Sequence, residues 1–178
     1  MKEFTGNTEA EVWQQVAADM AAQKGVLRYT AMLTQQGRQM LFDLDIDLGG
    51  GFESGISTTT FKAAVPAQIP LRFHLYEQDL LHEIGKVLGM EDVKLGYPEF
   101  DDAFIVQTNQ PETLKKIFAN EETRRILRKH SSASLKLDVE DDTPNAAILR
   151  FRKDEAIGEL TDLQEVYHVM WEILVQLA

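Results

Sequence analysis

Three aspartates spaced two apart, Asp43, Asp45 and Asp47, are the first residues whose type and spacing suggest chemistry. Asp-x-Asp-x-Asp opens a calcium loop, which also needs a glycine at its sixth position and a glutamate at its twelfth. Here those positions hold Leu48 and Ser54. Leu44 and Ile46 between the aspartates fit a strand, whose period of two puts all three carboxylates on one face. The plain reading is a solvated acidic face that resists edge-to-edge pairing. The functional reading is a docking face for a basic partner, or a weak divalent site. A second concentration has the opposite sign. Lys115, Lys116, Arg124, Arg125, Arg128 and Lys129 gather six of the chain's 18 basic residues into fifteen positions, on helices. They read as a solvated helix surface or as a patch for an acidic partner, a second copy of the chain included.

Other candidates carry less. Gly49-Gly-Gly51 lacks the following helix and Lys-Ser/Thr of a phosphate loop. His82-Glu83 starts like a zinc-protease helix, but Lys86 stands where the second histidine belongs. His74, His130 and His168 show no metal-ligand spacing, and Ser131 and Ser132 sit in no Gly-x-Ser-x-Gly elbow. The sequence thus gives no catalytic, cofactor-binding or metal-binding residue and no cofactor. The partner-binding candidates are Asp43, Asp45, Asp47, Lys115, Lys116, Arg124, Arg125 and Arg128.

The elements that must position these residues follow from periodicity. Thr8 and Glu11 form a capping box ahead of a helix with Val12, Trp13, Val16 and Met20 on one stripe. Strands are expected at Val26–Thr34, Met40–Leu48, Ser54–Val65 and around Leu71–Tyr76, the first two joined by a hairpin turn at Gln35–Arg38. A helix is expected over Glu77–Leu88. Gly96 and Pro98 mark a turn, and Phe100, Phe104 and Val106 a short buried strand. Asn109 with Pro111, and then Asn120, start two helices. Strands follow at Ser134–Val139 and Ala146–Arg152. Thr161 with Gln164 reads as a capping box for a last helix, apolar nearly all round at its C-terminal half. Such a helix is either buried in its own domain or covered by a second copy, so a homodimer is one expectation and a protein partner another. The fold class is α+β, one domain over 1–178. Its mostly antiparallel curved sheet should have about six to seven strands, with helices packed on one side.

Gly96-Tyr-Pro-Glu-Phe-Asp-Asp-Ala-Phe104, followed by a Pro-Glu helix start and Arg-Arg-Ile-Leu, resembles a pattern in bacterial proteins of unknown function. Tyr97 departs from the acidic residue of that pattern. The resemblance implies a compact α+β domain and no activity. Within the motif, Phe100 and Phe104 are expected in the core. Asp101 is expected to accept bonds from turn backbone N–H groups or to meet a cation such as Lys94.

Composition narrows the function classes. There is no cysteine, which excludes disulfides and thiolate chemistry. A net charge of −11 disfavours nucleic acid as a partner. No stretch reaches the roughly 18 apolar residues of a membrane span, and the N-terminus has no apolar leader, so a cytoplasmic setting is expected. Two functions remain. One is a non-catalytic binding or adaptor domain using the acidic face, the basic helices or a groove beneath the last helix. The other is a small-molecule-binding protein or enzyme with a pocket between sheet and helices.

Overall fold

The computed structural model describes residues 1–23, 25, 27–46, 55, 57–78, 90–139 and 146–177. Asp47, the glycine loop at 49–51, and His82 with the apolar stripe expected at Leu80, Leu81, Ile84 and Leu88 fall outside the described residues.

In chain order the elements are β1 (Lys2–Gly6), α1 (Glu9–Ala22), β2 (Arg28–Gln35), β3 (Arg38–Asp45), β4 (Thr58–Pro66), β5 (Phe73–Glu77) and β6 (Glu91–Val93). Then come α2 (Pro98–Asp101), β7 (Phe104–Thr108), α3 (Pro111–Ile117), α4 (Glu121–Lys129), β8 (Ser134–Val139), β9 (Ala146–Lys153) and α5 (Leu160–Gln176). The strands form one sheet in the order β1-β2-β3-β4-β9-β8-β5-β7-β6, antiparallel except for the β1–β2 pair. The class is α+β, as the sequence implies, with nine strands where about six to seven are expected. Both extra strands are short edges. β1 carries one apolar side chain, Phe4, and β6 spans three residues, too few for an alternation to register.

Period-two patterning builds the body of the sheet. Tyr29, Ala31 and Leu33 on β2, Met40, Phe42 and Leu44 on β3, and Phe61, Ala63 and Val65 on β4 are all buried on one face. The β2–β3 hairpin closes through Gln36 and Gly37, both with positive φ (48° and 78°), a backbone twist that matches the twist of the strands it joins. Against this face lie Val12, Trp13 and Val16 of α1 and Leu163, Val166, Tyr167, Met170 and Ile173 of α5. Trp13 meets Tyr167 edge-on at 5.7 Å and Phe42 at 6.1 Å, while Phe42 stacks on Phe61 at 4.7 Å. A second aromatic group, Phe73, Phe100, Phe104 and Phe118, fills the β5–β7 end of the same core.

Three local expectations are corrected. Phe100 lies in the short helix α2 and not in a strand, because Pro98 starts a helical turn that strand β7 follows only at Phe104. The last helix begins at Leu160, its cap position is Glu159 with no side-chain cap bond, and Thr161 lies inside it. Asn109 does not cap α3, whose cap residue is Gln110. The C-terminal half of α5 is covered by its own chain: Val169, Trp171 and Ile173 are buried and only Val175 of that set is exposed. No described helix is long and apolar enough to cross a membrane.

Candidate binding surfaces

The Gly96–Phe104 motif forms a tight knot. Gly96 takes a positive φ of 86°. The carboxylate of Asp101, itself buried, accepts from the backbone N–H groups of Leu95 and Gly96, both at 2.8 Å. Lys94 Nζ donates to the Asp101 carbonyl at 2.5 Å. Arg124 locks this knot to the helices. Its guanidinium lies 3.9 Å over the Tyr97 ring, and Nε donates to Glu99 at 3.0 Å. It also donates to the carbonyls of Phe118 and Ala119 at 2.9 and 2.8 Å. These carbonyls end α3, so Arg124 satisfies groups a helix terminus leaves orphaned. A bond from its own backbone N–H, and then Arg124, hold the Glu99 carboxyl below its ordinary pKa. The acidic residues of the motif are therefore engaged with different partners: Asp101 with turn amides, Glu99 with Arg124, while Asp102 is exposed.

The basic stretch divides in two. Arg124 is buried in the knot and offers no surface charge. Arg125 is bonded to Glu122 and Glu165, and Lys129 to Asp162 and Glu165, tying α4 to α5. Lys115, Lys116 and Arg128 stay exposed and make no ion pair among the described residues. Position along a helix could not separate these fates, because burial of Arg124 depends on Tyr97 and Glu99, more than twenty residues earlier.

Asp43 and Asp45 share the sheet face turned away from the core. Asp43 accepts from Thr30 Oγ1 at 2.5 Å, and Asp45 stands 3.8 Å from Arg28, both across the β2–β3 pair. Asp47 is outside the described residues. Among those residues no group of three or more histidine and carboxylate side chains is placed to hold a metal ion.

A groove of about 350 Å³ lies at the C-terminal end of α5. Ile69, Pro70, Leu71, Ile117 and Leu177 supply its apolar surface, and Lys116 stands among its polar residues. One wall is the β4–β5 connection, and two side chains hold it. Arg72 donates to the carbonyls of Ile69, Leu71 and Ala67 at 2.5, 2.6 and 3.1 Å. Asn109 accepts from the Arg72 N–H and donates to the Pro70 carbonyl, each at 2.7 Å. The wall is thus fixed before anything binds, which reduces the ordering that binding would require. Asn109 is the residue read as a helix start. Its clip spans 37 residues of sequence and leaves no local signature.

The described histidines are separate. His168 Nδ1 lies 3.0 Å from Glu9 Oε2, joining α5 to the start of α1. His130 is buried edge-on to Phe151, and burial lowers its pKa. His74 sits on the sheet face turned away from the core, its pKa pushed down to about 4 by burial and then by Lys136 and Arg150. No family model matches this chain, and no curated protein matches it.

Proposed function

We propose that this chain is a non-catalytic binding or adaptor domain, and that the groove at the end of α5 docks an apolar segment of a partner protein. The observation that carries the reading is the rigid wall built by Arg72 and Asn109 beside an apolar floor, with the unpaired cation Lys116 among the lining residues. An apolar segment with a neighbouring acidic group matches that chemistry. Affinity capture from the source proteome with wild type, Ile69→Asp and Lys116→Glu tests it. A partner held by wild type, lost by both variants and kept by Asp43→Asn supports the groove. A partner set that none of the three variants alters contradicts it.

A second reading, a small-molecule carrier, draws on volume: about 350 Å³ falls within the range of roughly 300–1,000 Å³ that holds small ligands. Native mass spectrometry of protein purified from its source separates the two, because a carrier retains a bound mass. The same measurement reads self-association. A homodimer would set Asp43 and Asp45 of one copy against Lys115, Lys116 and Arg128 of another, and its population would fall as salt rises.

A further inference from the structure

We propose that His130 is an acid-sensitive latch: while neutral it seats the last turn of α4 on the sheet, and once protonated it releases that turn from β9 and α5 while the rest of the fold stands. The latch is independent of the groove. His130 follows the last residue of α4 and is 5% exposed. Its backbone closes the helix. The N–H donates to the Leu127 carbonyl at 3.0 Å, and the carbonyl accepts from the Ala133 N–H at 2.9 Å. The side chain turns inward, edge-on to Phe151 of β9, with ring centroids 6.3 Å apart.

Both ring nitrogens, Nδ1 and Nε2, are buried without a hydrogen-bond partner. A neutral imidazole has one donor and one acceptor, so the seat already leaves two polar atoms unmet. A protonated ring would bring two donors and a full charge into the same place, with no acceptor in reach. The seat therefore fits one protonation state. The charged groups facing the ring are Lys153 of β9, Asp162 and Glu165 of α5, and Lys129 of its own helix. Lys153 and Lys129 oppose protonation, and the two carboxylates favour it. Lys129 already holds those carboxylates, Asp162 at 2.7 Å and Glu165 at 2.8 Å, and Lys153 is paired with Glu155 at 2.9 Å. Glu77 of β5 is engaged one residue further on, accepting from Ser131 Oγ at 3.4 Å. A protonated His130 gains an acceptor only when the turn moves and the Lys129 pairs open.

Burial, and then Lys153, lowers the His130 pKa from its ordinary value of 6.5. An opened turn restores the ordinary value, so below pH 6.5 the open state binds the proton and the closed state does not. Opening grows as pH falls, approaching about tenfold per pH unit, until the seated ring itself titrates. The release stops within α4, because Arg124 is buried and bonded to Glu99 and to the carbonyls of Phe118 and Ala119.

Amide hydrogen exchange of the full chain tests this, read by NMR at about pH 7 and about pH 5 and corrected for the intrinsic exchange rate. The His130 and Ala133 amides should exchange through an opening more populated than that of the β3 amides. Their opening constant should rise about tenfold over the interval in wild type, and by the same factor in His74→Gln. In His130→Phe, which keeps a ring and loses the titrating group, it should stay flat. Wild type alone decides the matter if His130→Phe does not fold: the His130 ring signals should titrate below pH 6.5, in step with the exchange of the two amides. The latch is overturned if the two amides open only as often as those of β3, or if their opening is the same at both pH values. It is equally overturned if the rise persists in His130→Phe or disappears in His74→Gln, or if the ring titrates out of step with the amides.

Discussion

Two rows of side chains cross the sheet one residue apart and share almost nothing but backbone. On the covered side, Ala31, Phe42, Phe61, Phe151, Leu135, Leu75, Val106 and Val93 follow one another from β2 to β6. On the opposite side the neighbouring row reads Met32, Leu41, Lys62, Arg150, Lys136, His74, Gln107 and Asp92. The first excludes water, stacks aromatic rings and anchors α1 and α5. The second aligns cations against cations and ends in unmet polar atoms. The difference shows that packing decides the covered row, while strand register alone decides which polar residues meet on the other.

The comparison can be broken most severely from the covered side. Phe151→Ala should destabilise the fold by about 3–5 kcal/mol in urea denaturation, as loss of a buried aromatic side chain does elsewhere. A shift well below that range would mean the covered row is not the packing spine described above. Arg124→Ala lies outside both rows and asks whether a buried cation can be structural. It strands Glu99 and the carbonyls of Phe118 and Ala119, and should cost about 2–3 kcal/mol. An unchanged midpoint would return Arg124 to the list of binding candidates. Asp101→Asn should cost on the order of 1 kcal/mol, because one of two turn amides loses its charged acceptor.

Acidity sharpens the contrast further. The pKa of His74 is depressed in the folded state to about 4, from an ordinary value of 6.5. Between those values the unfolded chain binds the proton and the folded one does not, so stability falls as pH drops through that window and levels off below it. His130, also lowered, adds in the same direction. His74→Gln should flatten part of the slope in a series of denaturation midpoints. An unaltered slope would remove His74 from the electrostatics of the opposite row.

The strands of the covered row were legible because each is its own alternation: Phe42, Leu44 and Ile46 against Asp43 and Asp45 need no partner to be read. The hairpin at Gln36-Gly37 and the cap at Asn120 are local chemistry as well, and both stand as expected. Asp101 also met the turn amides foreseen for it, since the acceptor and its donors lie within six residues. What the sequence concealed is long-range. Nothing near Arg124 announces that Tyr97 and Glu99 will bury it, and nothing near Asn109 announces its clip to Arg72. The cationic row is hidden for the same reason. Lys62, Lys136 and Arg150 lie on separate strands, and only the strand order β4-β9-β8-β5 makes them neighbours. The basic helices drew attention because six cations fall within fifteen positions, yet the fold occupies three of them, Arg124, Arg125 and Lys129, internally.

The most direct test uses two adjacent residues of β4, one from each row. Urea denaturation of Phe61→Ala and Lys62→Gln compares them on one strand. The account predicts a loss of about 3–5 kcal/mol for Phe61→Ala. For Lys62→Gln it predicts an unchanged midpoint or a gain of about 0.2–1 kcal/mol, as a like-charge opposition is relieved. A Lys62→Gln variant destabilised by about as much as Phe61→Ala would contradict it, because the opposite row would then be part of what holds the fold together.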